Sequence, residues 1–238
     1  MITATLPNTA KMVTAVIALA SGKGGVGKST LALGLADVWA GSGRRVALVD
    51  LDAQGGATLA AGLSRPEDPL TAPPAVAHGF TLFTSGRALA GATTDQLTAR
   101  IHAAMSGADV VVIDLSPALT DAAHAAALQC ATLLAIVART DAAGLANVEE
   151  TAQLAEAAGV PCVVVPSLKG TTGLSREAEA FLRGRYGARV TRTSIPLDAK
   201  AAESAGAGRP VTQTAKRAKV SDAVRALAAE LLPAPGQS

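Results

Sequence analysis

Aromatic side chains are scarce in this 238-residue chain, with one Trp, one Tyr and three Phe, so its core must be built from Ala, Val, Leu and Ile. Base-stacking modes of nucleic-acid binding need several exposed rings in register, and this composition cannot supply them. Cysteine is nearly absent too. Cys130 and Cys162 lie 32 residues apart with no CxxC pair, which argues against a zinc site or a disulfide scaffold and for two buried thiols. No apolar run reaches the ~18 residues of a membrane helix; the longest are Val13–Ala20 and Ala131–Ala138. The stretch from Lys11 to Ala20 has the outline of a short signal peptide, but its cleavage would remove the strand ahead of the motif that begins at Ser21, so a cytoplasmic protein is expected. Disorder is excluded by 49% hydrophobic against 17% charged residues, and a net charge of +2 does not by itself suggest a polyanion-binding surface.

Short β-branched runs recur, each followed by an Ala/Leu-rich stretch of helical length. This alternation predicts an α/β fold, a three-layer doubly wound and mostly parallel sheet. Strands are expected at Val13–Ala20, Arg45–Leu51, Phe80–Thr84, Asp109–Asp114, Thr132–Ala138, Val160–Pro166 and Arg189–Ile195. Most are apolar throughout, as strands covered on both faces are. Helices are expected at Lys28–Ala40, Thr94–Ser106, Asp121–Gln129, Leu145–Ala158, Ser175–Arg185 and Val220–Leu232. Ser64–Gly79, with four prolines, reads as a surface loop. One domain spanning 13–232 is expected, flanked by frayed tails at 1–12 and 233–238.

Gly22-Lys23-Gly24-Gly25-Val26-Gly27-Lys28-Ser29 fits G-x-x-x-x-G-K-[ST] between an apolar strand and a helical stretch. Glycines there let successive backbone N–H groups turn towards phosphate oxygens, and the helix N-terminus adds partial positive charge. Lys28 should reach the β and γ phosphates and the Ser29 hydroxyl a Mg²⁺ ion. Asp114 closes the run Val110–Ile113, the layout of an acid that holds Mg²⁺ through water, although an Asp there could also cap the next segment. Asp50 and Asp52 end another apolar strand and start on one face of it, so one can orient a water while the other supports the metal shell; turn chemistry at Asp52–Gly56 is the competing explanation.

The run Lys23–Thr30 resembles the deviant Walker A motif, with its extra lysine, of the ParA/MinD superfamily of P-loop ATPases. Val49–Thr58 is similar to the second motif of ParA proteins and Ile113–Pro117 to their Walker B, while Ile195-Pro196, Glu203, Gly208 and Arg209-Pro210-Val211 resemble the ParA C-terminal region in order and spacing. Ala53 stands in place of the usual proline, Gly56 of the usual asparagine, Leu115-Ser116 of the common Cys-Pro, and Pro166-Ser167 where relatives often carry an adenine-reading asparagine. The resemblance implies a Mg²⁺-dependent ATPase that forms a nucleotide-sandwich homodimer. It implies ATP and ADP held by Gly24, Gly25, Val26, Gly27, Lys28, Ser29 and Thr30, with Pro196 by the adenine. Lys23 would cross to the partner's phosphates, Asp52 would help activate water, and Ser29, Asp50 and Asp114 would surround the metal.

Charge is unevenly distributed: 9 basic and 13 acidic residues precede Lys169, and 12 basic and 6 acidic residues lie from Lys169 onward. The basic portion suggests a face for sequence-independent contact with double-stranded DNA phosphates, with Lys200, Arg209, Arg189, Arg192, Lys216, Arg217 and Lys219 as candidates, alongside Arg183 and Arg185. The family resemblance then points to a nucleoid-associated partitioning ATPase for a plasmid or chromosome, working with a ParB-type adaptor. The alternatives are a relative that positions a protein cargo, a MinD-like membrane-associated regulator, and a reductase or metal-cluster carrier. The terminal stretch Val224–Pro233, with no aromatic and one basic residue, is poorly suited to a membrane surface.

Overall fold

The structure is a computed structural model, which describes residues 14–118, 122–141 and 147–232. The expected tails at 1–12 and 233–238 lie outside these residues, as do Val13, Asp121 and Leu145 at the expected element ends. Among the described residues seven strands form one sheet: β1 (Ala15–Ala20), β2 (Val46–Asp50), β3 (Ala75–Ala77), β4 (Phe80–Phe83), β5 (Val110–Asp114), β6 (Leu133–Arg139) and β7 (Cys162–Ser167). Their order is β3-β4-β2-β5-β1-β6-β7. Every pairing is parallel except β3 with β4. Among the described residues the α-helices are α1 (Lys28–Gly41), α2 (Gly56–Ala60), α3 (Thr94–Gly107), α4 (Ala122–Cys130), α5 (Val148–Ala157), α6 (Gly173–Tyr186), α7 (Ala199–Gly206), α8 (Val211–Thr214) and α9 (Lys219–Leu231).

Strand periodicity divides the core into two layers. On β1, Val16, Ala18 and Ala20 face Leu97 and Ile101 of α3, Ala126 of α4 and Ala152 of α5, whereas Ile17 and Leu19 face Leu31 and Leu35 of α1 and Val224 and Leu227 of α9. Helices on both faces explain why the strands read as apolar throughout. Small residues replace rings at the closest approaches: a Cβ on Gly34 of α1 would stand 3.0 Å from Val224 Cγ1 of α9. Trp39, Phe80 and Phe83 are buried, and Trp39 Nε1 donates to the Ala228 carbonyl at 3.2 Å, tying α1 to α9. The apolar face of α9 is therefore used in the core.

Two expectations fail for identifiable reasons. Arg189–Ile195 is not a strand. It makes single bridges, Val190 to Val164 and, just beyond, Pro196 to Lys169. Pro166 in β7 has no N–H to give a ladder, and the amides of Arg192 and Thr193 donate instead to the Glu230 carboxylate at 2.6 and 3.1 Å. Within the expected loop Ser64–Gly79, Ala75–Ala77 forms β3 because His78 and Gly79 both take positive φ (54° and 88°), as a tight two-residue hairpin turn requires. Helices α2, α7 and α8 were also absent from the sequence-based expectation, being too short for a periodic signal.

Candidate functional site

The site lies at the carboxyl ends of the parallel strands, where an open α/β sheet leaves a crevice. β1 ends at Ala20, and residues 21–27 then wrap around the start of α1. Gly25 and Gly27 have φ of 72° and 85°, conformations that L side chains disfavour. Gly27 is the residue ahead of α1, which has no side-chain cap and no acid in its first turn. The orphan amides and partial positive charge of this N-terminus are thus left for an anion.

A cleft of about 230 Å³ opens over this turn, lined by Ser21, Lys23–Thr30, Asp52 and Pro117. A second, mostly apolar cleft of about 220 Å³ shares Gly25, Gly27 and Thr30 with the first, and is walled by Leu168, Ile195, Pro196 and Asp198 and by Ala201 of α7. Together they form one trough with a polar phosphate-sized end and an apolar end suited to a base. Pro196, 168 residues after Lys28 in sequence, stands in the apolar wall. Leu168 also lines this wall with φ of 52°, a strained conformation for a bulky residue.

Lys28 Nζ donates to Asp114 Oδ1 at 2.8 Å and to the Leu115 carbonyl, and both side chains are buried. Asp114 Oδ2 is buried and has no hydrogen-bond partner among the described residues. A Cβ built on Gly56 would stand 2.5 Å from Ser29 Oγ and 4.0 Å from Asp114 Oδ2. Glycine at 56 therefore leaves open the space on which a hydroxyl and an unsatisfied carboxylate oxygen converge, and these hard oxygen donors fit a Mg²⁺ ion that retains most of its waters. Asp50 is differently employed. Its Oδ2 accepts from the Thr58 amide and hydroxyl at 2.8 and 2.7 Å, and its Oδ1 from the Asp52 amide at 3.2 Å. Burial, reinforced by the neighbouring Asp114 charge, pushes Asp50 up to about 7 against the lowering effect of those hydrogen bonds.

Asp52 lines the polar cleft, and its Oδ1 accepts from the Gln54 amide at 2.9 Å. Lys23 is exposed at the rim; its carbonyl is held by Ser21 Oγ at 2.9 Å, and the preceding Gly22 carbonyl by Asn147 Nδ2 at 2.6 Å.

The candidate cations separate into two groups. Lys200 lies on α7, Arg209 between α7 and α8, and Lys216, Arg217 and Lys219 at the turn entering α9; all are exposed. Lys200 Nζ contacts Glu203 at 2.6 Å, whereas the other four have no ion-pair partner among the described residues. Arg192 instead sits beside Glu230 at the far end of α9, about 16 Å along the helix from Lys219. Arg189 lies nearby, in the turn that follows α6. Arg183 is committed to Glu179, the Thr191 carbonyl and Ser194, and Arg185 to Glu149. Cys162 opens β7 at the strand end opposite the trough, and Cys130 ends α4.

Sequence reasoning missed Thr58, Ser85, Arg100 and Asn147. Of these only Thr58, inside the ParA-like second motif, carried any sequence signal.

The CobQ/CobB/MinD/ParA nucleotide binding domain profile matches residues 17–211. The chain is 34% identical to the chromosome-partitioning ATPase Soj of Thermus thermophilus, over 91% of this chain and 94% of that protein. Among solved structures, the cell division ATPase MinD of Pyrococcus furiosus superposes with a TM-score of 0.79 at 20% identity, covering 91% of this chain and 98% of that one. Cobyrinic acid a,c-diamide synthase of Mycobacterium smegmatis, with ADP and magnesium bound, superposes with a TM-score of 0.77 at 23% identity, covering 92% and 94%.

Proposed function

The chain belongs to the CobQ/CobB/MinD/ParA nucleotide-binding family, and from that membership we propose that it is a ParA-type, Mg²⁺-dependent ATPase that dimerises around ATP, binds double-stranded DNA without sequence preference and drives partition with a ParB-type adaptor. The observation that carries the reading is the trough itself. An uncapped helix N-terminus, a buried lysine and two converging oxygen donors stand at one end, and an apolar slot at the other.

In this reading the backbone amides of residues 24–29 bind the phosphates, and Thr30 lies near the α phosphate. Lys28 exchanges its Asp114 contact for the β and γ phosphates. Ser29 and Asp114 hold Mg²⁺, with Asp50 supporting from behind. A metal there would neutralise charge on the phosphates. Asp52, with Oδ2 free of hydrogen bonds among the described residues, orients the attacking water. Lys23, exposed at the rim, reaches the partner's phosphates and supplies in trans the charge that an arginine finger supplies elsewhere. Pro196 packs against the base.

The cluster of Lys200, Arg209, Lys216, Arg217 and Lys219 is the DNA-binding face, with Arg189 and Arg192 on a separate flank. Bringing two such faces together roughly doubles the number of phosphate contacts, so ATP-dependent dimerisation acts as the DNA-binding switch. DNA is favoured over a membrane surface because the apolar side of α9 is already packed on α1.

A gel shift with ATP, ADP or no nucleotide, at several salt concentrations, tests this on wild type and Lys23→Ala. ATP should be required, and Lys23→Ala should abolish the shift while still binding nucleotide. Binding that ignores nucleotide would refute the switch.

A further inference from the structure

The main chain of Asp52 is gripped from both sides by buried groups behind the phosphate cleft. Its amide donates to Asp50 Oδ1 at 3.2 Å. Its carbonyl accepts from the hydroxyl of Ser85, a fully buried residue just beyond β4. Ser85 and Asp50 are themselves joined through Thr58: the Ser85 amide donates to Thr58 Oγ1 at 2.8 Å, and Thr58 Oγ1 donates to Asp50 Oδ2 at 2.7 Å. The ring Asp50–Thr58–Ser85–Asp52 thus joins β2, α2 and the segment beyond β4. Its outer side is anchored as well, because the Arg100 guanidinium donates to the Thr84 carbonyl at 2.6 Å and stacks 5.3 Å from the Phe83 ring centroid.

We propose that Ser85, acting through this ring, is the positioning residue for Asp52, holding its carboxylate where it can orient the hydrolytic water. The inference rests on the reading of Asp52 given above. The physical basis is that Asp52 follows the end of β2, where its carbonyl leaves the strand ladder and accepts from the Gly55 amide at 2.7 Å in a local turn ahead of α2; the Ser85 hydroxyl ties that turn to the segment beyond β4. A largely buried side-chain hydrogen-bond network confers rigidity on that turn without touching nucleotide. Ser85 lines neither cleft of the trough, so its loss should act on turnover rather than on binding.

The experiment is steady-state ATP hydrolysis and nucleotide affinity for wild type, Ser85→Ala, Asp52→Ala and the double variant, with folding checked by circular dichroism. Ser85→Ala should lower kcat by about 10- to 100-fold, the scale expected when a catalytic group is misplaced by ~1 Å, and leave KM and ADP affinity within about twofold. In the Asp52→Ala background the same substitution should have no further effect on the residual rate, since the group it positions is gone. If Ser85→Ala does not fold, Thr58→Val, which drops the ring hydroxyl, is compared with Thr58→Ser, which keeps it, and kcat should fall only in the first. Normal kcat in folded Ser85→Ala, an equal loss in the presence and absence of Asp52, or a change confined to KM would overturn the proposal while leaving the ATPase reading intact. Undiminished hydrolysis by Asp52→Ala would instead overturn the role given to Asp52, and the positioning role with it.

Discussion

Lys28→Met isolates what the buried ion pair does before any nucleotide arrives. The stem of Lys28 is enclosed and its Nζ lies 2.8 Å from Asp114 Oδ1, with 6% and 0% of the two side chains exposed. Methionine reproduces the length and apolar bulk of that stem, so little packing is lost; what disappears is the charge and two hydrogen bonds, to Asp114 and to the Leu115 carbonyl. Among the described residues Asp114 Oδ2 has no partner, so the variant leaves this carboxyl unpaired there, beside buried Asp50. Breaking a buried pair from one side costs about 3–5 kcal/mol. For a domain of this size that corresponds to a fall in Tm on the order of 10 °C. The measurement is thermal and urea unfolding without nucleotide or Mg²⁺ at neutral pH, followed by circular dichroism and by the fluorescence of Trp39, the only tryptophan in the chain. Adding Asp114→Asn removes the uncompensated charge, and the double variant should recover more than half of the loss. A Lys28→Met protein within about 1 kcal/mol of wild type, or a double variant less stable than the single one, would refute the reasoning.

Glu179 provides a pH test. Burial alone would raise its pKa, but hydrogen bonds from Lys169, Arg183 and Ser194, and the Lys169 charge, outweigh that and hold it at about 2. A carboxylate with a depressed folded pKa contributes stability that is present above its unfolded pKa of about 4.5 and lost as pH falls towards 2. The full shift corresponds to at most about 3 kcal/mol, reduced to about 1–2 by water around the partly exposed Lys169 and Arg183. The stability gap between wild type and Glu179→Gln should therefore narrow from pH 6 to pH 3, and an unchanged gap would count against the network. Gly208 has φ of 67°, and a Cβ there would meet Gly62 Cα at 2.6 Å, so Gly208→Ala should cost about 2 kcal/mol or more in urea unfolding. Gly206→Ala, with open space and no positive φ, should be neutral or slightly stabilising, and equal behaviour of the two would contradict the close approach. Replacing Lys200 and Arg209 together should flatten the salt dependence of DNA binding by about 2 units of slope per protomer while leaving ATP affinity unchanged; an unaltered slope would remove both from the DNA face.

Elements with strong local signals were legible. β1, β2, β5, β6 and β7 fall within two residues of their expected bounds because each is an apolar run with helices on both faces. The glycine turn between β1 and α1 was legible for the same reason: glycine spacing and the strand–helix context are contiguous in sequence. Distant relationships were not. Whether Asp50 or Asp114 keeps a free oxygen depended on Thr58, which occupies Asp50 from α2. The expected last strand failed because of Glu230, 38 residues beyond Arg192.

The sequence by itself thus determined the fold class, the location of the glycine turn between β1 and α1 and the excess of positive charge in the C-terminal third, since each depends on residue type and short spacing. Only the tertiary structure decided which of two buried carboxylates faces the Ser29 hydroxyl, that Pro196 shares a trough with the glycine turn, that the cations form two groups, and that Ser85 stands behind Asp52. Each of these depends on a distance between side chains brought together by packing across the sheet, and no local pattern in the chain encodes it.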